Sequence, residues 1–451
     1  MILHHLGNAL RGIRRSPVTS VVVVASIALG IAVSVTLIAF YHGMRAEPVP
    51  HKSAQVFRVL LDNWQAEKPF AEPDLAPPAL TLRDATHLRQ AGLAQNEVAL
   101  YHAQTFVALP GSAGERRIKA STRATTRGFF GLFEPPFRYG SGWDQGAEGN
   151  LERVAVIGKT LNDRLFGGAD SVGREIEVNS ATFRIVGVLD QWDLYPLFYD
   201  MTREDLVSDE LFVPFPVAVD SLKLWPSFSA QPGEPAGDDF DTRFAGSEAV
   251  FVQYWVQLAT PQAREAYQSH LNGYIAEQKR LGRFPRAAKA ELLAIPQWIE
   301  RQQENGNQRV FVQTLVVVGL LFFGICLLNI VTLLISRFMG NAGAVSVLRA
   351  LGVPRWAIFV DHITEAGLLG LAGGLIGLAL ARVGVALIGP LFLGASDDGI
   401  GGSAAGDFGG LLDASMIATA IGLSLLGAFL VALYPTWKIC RIAPTQYLKS
   451  L

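Results

Sequence analysis

Gly158-Lys159-Thr160 follows a Val/Ile-rich segment and has the ending of a phosphate-binding loop. In such a loop backbone N–H groups cradle phosphates and the lysine reaches the terminal phosphoryl oxygens. That chemistry needs a glycine five positions before Gly158, and Arg153 stands there, so the motif is rejected. His4-His5 is a lone pair, and no His-Glu-x-x-His pattern occurs to hold a zinc ion. No Gly-x-Ser-x-Gly elbow presents a serine nucleophile. The two cysteines, Cys326 and Cys440, lie in or beside apolar runs, which argues for inert thiols over a redox or metal role. The expectation is a chain with no catalytic residue, no metal ligands and no cofactor of its own.

Charge inside apolar sequence is the next place to look for function. The run from about 363 to 390 contains Glu365 and Arg382. At about 1.5 Å per residue, roughly 25 Å of helix separates them, so each can sit near an opposite membrane interface. A buried ion pair between these two residues is the sharper and less favoured alternative. Small residues recur at four-residue spacing: Ser26, Gly30 and Ser34 in one run, Gly370 with Gly374 and Gly373 with Gly377 in another. Such stripes let helix backbones approach closely in lipid, either within one bundle or across a dimer seam.

These residues need membrane helices to position them. The chain of 451 residues is 50% hydrophobic with a mean hydropathy of +0.28, and only 17% of it is charged, against about 25% in soluble proteins. A net charge of −2 gives no electrostatic case for a nucleic-acid partner. Spanning a hydrocarbon core of about 30 Å takes about 20 apolar residues. Four runs qualify, and the expected organisation is a leading cytoplasmic amphipathic helix (1–17), spans at 18–42, 310–336, 363–390 and 414–437, a domain at 43–309, a cytoplasmic loop at 337–362, a short external loop at 391–413 and a tail at 438–451. The first run has basic flanks at Arg11, Arg14 and Arg15, but it exceeds the 7–15 residues typical of a signal peptide and reads as a retained helix.

Lys/Arg placement orients the spans. Arg11, Arg14 and Arg15, then Arg337, Arg349 and Arg355, then Lys438, Arg441 and Lys449 fall on one side. The 391–413 loop holds Asp397, Asp398, Asp407 and Asp413 and no base. Both termini and the 337–362 loop are therefore expected in the cytoplasm, with 43–309 outside. The fold class is membrane α-helical, four transmembrane helices with a large α/β extracytoplasmic domain inserted between the first two. In that domain Gln55–Leu61, Arg153–Ile157, Phe183–Leu189 and Val250–Leu258 read as strands. Thr260-Pro261 opens a helix running to about Leu281, with Gly282 as its stop. Residues 229–241 read as a loop, and Trp192, Trp225, Trp255 and Trp298 as core.

Three separated stretches resemble the MacB/FtsX-type ABC permeases. Asn8-Ala9-Leu10-Arg11, Arg14-Arg15-Ser16-Pro17 and Ala28-Leu29-Gly30-Ile31-Ala32 are similar to the family's amphipathic helix and first span. Arg127-Gly128-Phe129-Phe130, Val154-Ala155-Val156-Ile157-Gly158, Leu165-Phe166-Gly167, Val172-Gly173-Arg174 and Phe183-Arg184-Ile185-Val186-Gly187-Val188 follow the order of its periplasmic domain. Val347-Leu348-Arg349-Ala350-Leu351-Gly352, Glu365, Gly373-Gly374-Leu375-Ile376-Gly377, Tyr434-Pro435-Thr436-Trp437-Lys438 and Ala443-Pro444 are similar to its C-terminal half. Residues 190–300 are the least covered, so cargo does not transfer.

The resemblance implies a permease subunit of a bacterial inner-membrane ABC transporter that turns ATPase motion into movement of the external domain. It implies a separate cytoplasmic ABC ATPase subunit that binds ATP and magnesium, a second permease, and in some assemblies a periplasmic adaptor. Cargo would be an antibiotic, peptide, lipid or lipoprotein. Segment 340–356 would couple to the ATPase, with Arg349 and Arg355 contacting it and Leu348 and Leu351 entering its groove. The chain departs from the family where an Arg-Glu-Ile-Gly-like run is expected. Gly343-Ala344-Val345-Ser346 stands there instead, which implies a weaker ATPase contact or a non-identical second permease. Two rival expectations are an ATPase-coupled regulator of an external cell-wall hydrolase and a membrane sensor with an external ligand-binding domain.

Overall fold

The computed structural model describes residues 11–43, 49–71, 75–111, 117–192, 194, 197–203, 208–235, 237–286, 290–305, 308–340, 343, 345, 347, 349, 351–392 and 414–441. Leu348, Ala344, Ser346, residues 1–10, most of the 391–413 loop and the tail from 442 lie outside the described residues. The chain divides into two compact units, one spanning Arg45–Gly306 and the other made of the helices on either side of it.

Helix α1 (Pro17–Gly43) comes first. The middle unit opens with β1 (Val56–Leu61), β2 (Leu80–Thr81), α2 (Leu82–Ala91), β3 (Asn96–Ala108) and β4 (Ile118–Thr125). It continues through α3 (Gly128–Phe133), β5 (Phe137–Gly140), α4 (Gln145–Gly149), β6 (Val154–Ile157), α5 (Lys159–Phe166), β7 (Glu175–Val178), β8 (Ala181–Leu189) and β9 (Leu211–Pro214). It ends with β10 (Val250–Gln257), α6 (Pro261–Arg280), β11 (Ala290–Ala294) and α7 (Ile295–Asn305). Three long helices follow: α8 (Gln308–Gly340), α9 (Arg355–Phe392) and α10 (Ala414–Arg441).

The described strands of the middle unit form one sheet in the order β11-β1-β10-β3-β4-β9-β6-β8-β5, with β2 beside β10 and β7 bridging β3 and β8. Only β4–β9 and β6–β8 are parallel pairs. Every residue of β1, β6, β9 and β10 is buried, because apolar cover lies on both faces of the sheet. In β10 the alternation is direct. Val252, Tyr254 and Val256 enter one apolar cluster with Leu88 of α2 and Tyr267, Leu271 and Tyr274 of α6. Trp255 points into the other cluster, with Phe129, Phe133, Tyr199 and Trp298. The side chain of Thr260 accepts a hydrogen bond from Ala263 N, with Pro261 at the first helical position, which sets the start of α6. Trp225 departs from the expectation of a core residue: it is 48% exposed, edge-on to Phe244 and under Arg243.

In the helical unit α1 packs on α8 and α9, and α10 packs on the same two helices. Val23, Ile27, Ile31 and Val35 form an i, i+4 stripe on α1 and join Phe323, Ile330 and Leu334 of α8, Ala366 and Leu369 of α9 and Val431 and Ala432 of α10. The opposite faces stay apolar and uncovered, as at Val21, Leu29, Leu321, Leu328, Leu375, Leu380, Leu426 and Leu430. Apolar on the inside and the outside alike, these helices suit lipid as their solvent. Among the described residues three segments are long and apolar enough to cross a membrane: Pro17–Ile38, Val316–Arg337 and Arg355–Gly384; the apolar described stretch of α10 is the shorter Leu425–Trp437.

Candidate functional site

The connection between α8 and α9 is shorter than the expected 337–362 loop. Helix α8 runs on to Gly340, and α9 already begins at Arg355, leaving residues 341–354 between them. Leu351 N donates to Val347 O at 3.0 Å and Gly352 N to Arg349 O at 3.1 Å, so this stretch closes as a helical turn. Gly352 ends it at φ +91°, a conformation that strains any residue with a Cβ. Pro354 then starts α9, its carbonyl accepting from Ala357 N. Val345 is buried in the bundle and Val353 packs beside it, which fixes one face of the turn. The other face is open. Leu351 is 76% exposed and Trp356 58%, with Val347 also exposed. Arg355 is exposed and Arg349 half-buried beside them. Of the four sequence-proposed coupling residues, Leu351 and Arg355 are exposed, Arg349 is half-buried one turn from the buried Val345, and Leu348 is outside the described residues.

The small-residue stripes meet other helices of the same chain. A Cβ on Gly373 would lie 2.6 Å from Ile27 Cβ, and one on Gly377 2.8 Å from Ala28 O, so α9 rests on the backbone of α1. A Cβ on Gly30 would lie 3.0 Å from Phe323 and 3.3 Å from Cys326 Cβ, so α1 in turn lies close on α8. Gly370 and Gly374 are buried, Ser26 is half-buried, and Ser34 is buried with no hydrogen-bond partner for its hydroxyl among the described residues.

Glu365 is not paired with Arg382, which is exposed on α9. Its partner is Arg337, which sequence reading leaves in a loop and which lies instead inside α8 with its side chain 2% exposed. Arg337 Nη1 also donates to Ser20 Oγ at 2.7 Å. Ser20 Oγ in turn donates to Ser16 O at 2.8 Å, at the bend where residues 11–15 turn into α1. A Cβ on Gly12 would lie 2.9 Å from Glu365 Oε1, so the leading segment crosses directly over the carboxylate. Sequence spacing missed this node because its members lie on three helices.

The sheet unit holds a second buried polar cluster. Arg123 Nε donates to Asp209 at 2.8 Å, and Arg123 also pairs with Asp200, all three side chains being fully buried. Arg203 Nη1 and Tyr199 Oη donate to the same Asp209 at 2.9 and 2.8 Å. His102 lies between the hydroxyls of Ser227 (2.8 Å) and Ser121 (3.0 Å), and Gln253 Nε2 donates to Asp200 at 3.1 Å. Against the cost of burial, Asp209 and Asp200 hold the Arg123 guanidinium above its ordinary value. Burial opposes ionisation of Asp200 too, but Arg123 keeps it below the usual carboxylate range. Burial pushes Arg58 down to about 9, with Asp200 working against that and Arg123 adding to it. Its guanidinium lies 4.8 Å from the Trp298 ring centre and 5.3 Å from that of Trp255. The network clamps Tyr199, Asp200, Arg203 and Asp209 onto β3, β4 and β10 and reads as architecture. Among the described residues no group of three or more metal-ligating side chains converges, and Lys159, the residue of the rejected phosphate loop, is paired with Asp163 at 2.8 Å.

In chain order a two-faced sheet domain is flanked by long apolar helices, and an exposed turn joins two of those helices. A sequence model of the MacB-like periplasmic core domain matches residues 20–274, more than half of the chain, and one of the FtsX-like permease C-terminal region matches residues 316–444. The chain belongs to the MacB/FtsX-type ABC transporter permeases. It is 24% identical over 245 residues to the macrolide export ATP-binding/permease protein MacB of Marinobacter nauticus, an alignment covering 54% of this chain and 32% of that protein. The chain thus spans about a third of the curated relative it matches. Similar solved structures include the periplasmic region of MacB from Actinobacillus actinomycetemcomitans, with 12% identity, TM-score 0.36, and 57% of this chain and 96% of that one covered. Another is the extracellular domain of the noncanonic ABC-type transporter YknZ from Gram-positive bacteria, with 14% identity, TM-score 0.33, and 52% and 99% covered.

Proposed function

We propose that this chain is the transmembrane subunit of a bacterial inner-membrane ABC transporter, which works with a separate cytoplasmic ATPase subunit and moves its external domain to export cargo. In this reading α1, α8, α9 and α10 all span the bilayer, the sheet unit lies outside between the first two, and both termini and the 341–354 connection are cytoplasmic. ATP and magnesium bind to the ATPase subunit, and a second permease, identical or not, completes the assembly. The relative whose name records macrolide export supports an antibiotic as cargo, with a peptide, lipid or lipoprotein as the alternatives the test compares.

The observation that carries the reading is the exposed turn. Val347 and Leu351 of the connection and Trp356 at the start of the next helix present exposed apolar surface, with Arg355 exposed beside Trp356 in sequence. A helical turn with a few apolar anchors is what a groove on a partner protein accepts, the anchors supplying most of the energy and the rim charges setting approach. The test is co-purification with the ATPase subunit and assay of the complex in lipid nanodiscs against macrolides, peptides and lipids. The expected result is a stable complex whose hydrolysis rises with one cargo class. Robust ATP hydrolysis by the purified chain alone, or no complex with the ATPase subunit, would sink it.

A further inference from the structure

Arg337, Glu365 and Ser20 join three helices of the bundle. Arg337 is within one turn of the end of α8 and Ser20 within one turn of the start of α1. Glu365 is ten residues into α9. The 341–354 connection leaves α8 just beyond Arg337 and enters α9 at Arg355, so the Arg337–Glu365 pair ties together the two arms that hold the exposed turn.

Chain connectivity gives the tie a direction. Helix α1 precedes the sheet unit in the chain and α8 follows it, so both helices are covalently linked to that unit. The two helices meet at the node, Arg337 Nη1 donating to Ser20 Oγ at 2.7 Å. Ser20 passes the link to the bend at Ser16, and Gly12 lies against the Glu365 carboxylate. A buried guanidinium and carboxylate cannot part without leaving two unpaired charges in a low-dielectric interior, which strongly disfavours their separation. Force on the turn therefore cannot be absorbed by α8 and α9 sliding apart at this level, and it passes to α1.

We infer that Arg337, Glu365 and Ser20 are positioning residues: they lock α1, α8 and α9 together at the coupling end, so that displacement of the exposed turn reaches both helices linked to the sheet unit. This rests on the functional reading above.

The experiment uses the full complex in nanodiscs and compares wild type, Glu365→Gln, Ser20→Ala and the charge-swapped Arg337→Glu/Glu365→Arg pair. It reads complex assembly, basal hydrolysis and the ratio of cargo-stimulated to basal hydrolysis. Glu365→Gln should assemble and keep basal hydrolysis but lose stimulation at least about fivefold, the lower end of ordinary coupling energies. The swapped pair should recover part of that ratio, which a general packing defect would not. Ser20→Ala removes one corner and leaves the ion pair, and a smaller loss of stimulation is expected. It decides the matter should Glu365→Gln fail to accumulate. Full stimulation in both Glu365→Gln and Ser20→Ala, or in Ser20→Ala where it alone accumulates, overturns the inference and leaves the functional reading standing. Failure of the wild-type chain to assemble with the ATPase overturns that reading instead.

Discussion

His102 is the residue of the sheet unit whose charge state matters most near neutral pH. Burial, with Arg123 and Arg203 adding their repulsion, pushes it down to about 4. The unfolded chain takes up this proton below about pH 6.5. The sign follows: the folded state excludes a proton that the unfolded state binds, so stability from this group is complete above about 6.5, falls with pH and is gone by about 4. The gap corresponds to about 3 kcal/mol. Asp200 and Asp209 are held below the usual carboxylate range in the folded state, so the stability they contribute is lost mainly below about pH 4, as the unfolded chain's aspartates take up protons first. His102→Gln should therefore flatten the loss of thermal stability between pH 7 and 4.5 by several degrees, at about 2–4 °C per kcal/mol for a unit of this size. Unfolding of the full chain in detergent, followed by fluorescence of the buried Trp255 and Trp298, measures it. Identical pH slopes in the two proteins would refute it. None of this was legible in sequence. The β4 segment Ile118–Thr125 reads as an ordinary polar strand, and its burial comes from a segment that supplies Asp200 and Asp209 from 77 and 86 residues away.

At the scale of elements, the glycines separate into those that seat a helix and those that do not. A Cβ on Gly377 meets the Ala28 carbonyl at 2.8 Å, a backbone atom that cannot swing aside, whereas one on Gly367, on the same helix, meets nothing within 4 Å. Gly377→Ala should push α9 off α1 and lower the temperature at which the detergent-solubilised protein loses monodispersity. Gly367→Ala should hold or raise it, since alanine is favoured over glycine inside a helix by about 1 kcal/mol. Equal effects at the two positions would contradict the packing described here. Spacing alone singled out Gly373 and Gly377, because close backbone contact in lipid needs small residues at one-turn intervals. It could not say which helix they meet. The same holds in the sheet unit. Gln55–Leu61 and Phe183–Leu189 were readable from their β-branched and aromatic content, and α6 from Thr260-Pro261. The parallel β4–β9 pair joins distant segments and leaves no local signature. Arg337 was misplaced because a cation closing an apolar run looks like a loop residue until its partner on another helix is known.

For the molecule as a whole the question is how the chain is driven. The exposed turn answers it in the functional reading, and it can be broken without touching the fold. Leu351 is 76% exposed, so its replacement removes no packing within the chain. Leu351→Glu should leave expression, solubilisation and thermal stability at the wild-type level, since surface changes rarely exceed about 0.5 kcal/mol. In a partner groove the same change buries a carboxylate among apolar contacts, a penalty that ordinary interface contacts do not offset. Complex formation with the ATPase subunit and cargo-stimulated hydrolysis should both fall sharply. Arg355→Ala should weaken assembly less and mainly change its salt dependence, because a rim charge acts on approach more than on residence. Titrating complex formation against salt for the three proteins, by size-exclusion chromatography with the ATPase subunit, separates these effects. Wild-type assembly and turnover in Leu351→Glu would remove the turn as the coupling element, and with it the route by which Arg337, Glu365 and Ser20 could receive force.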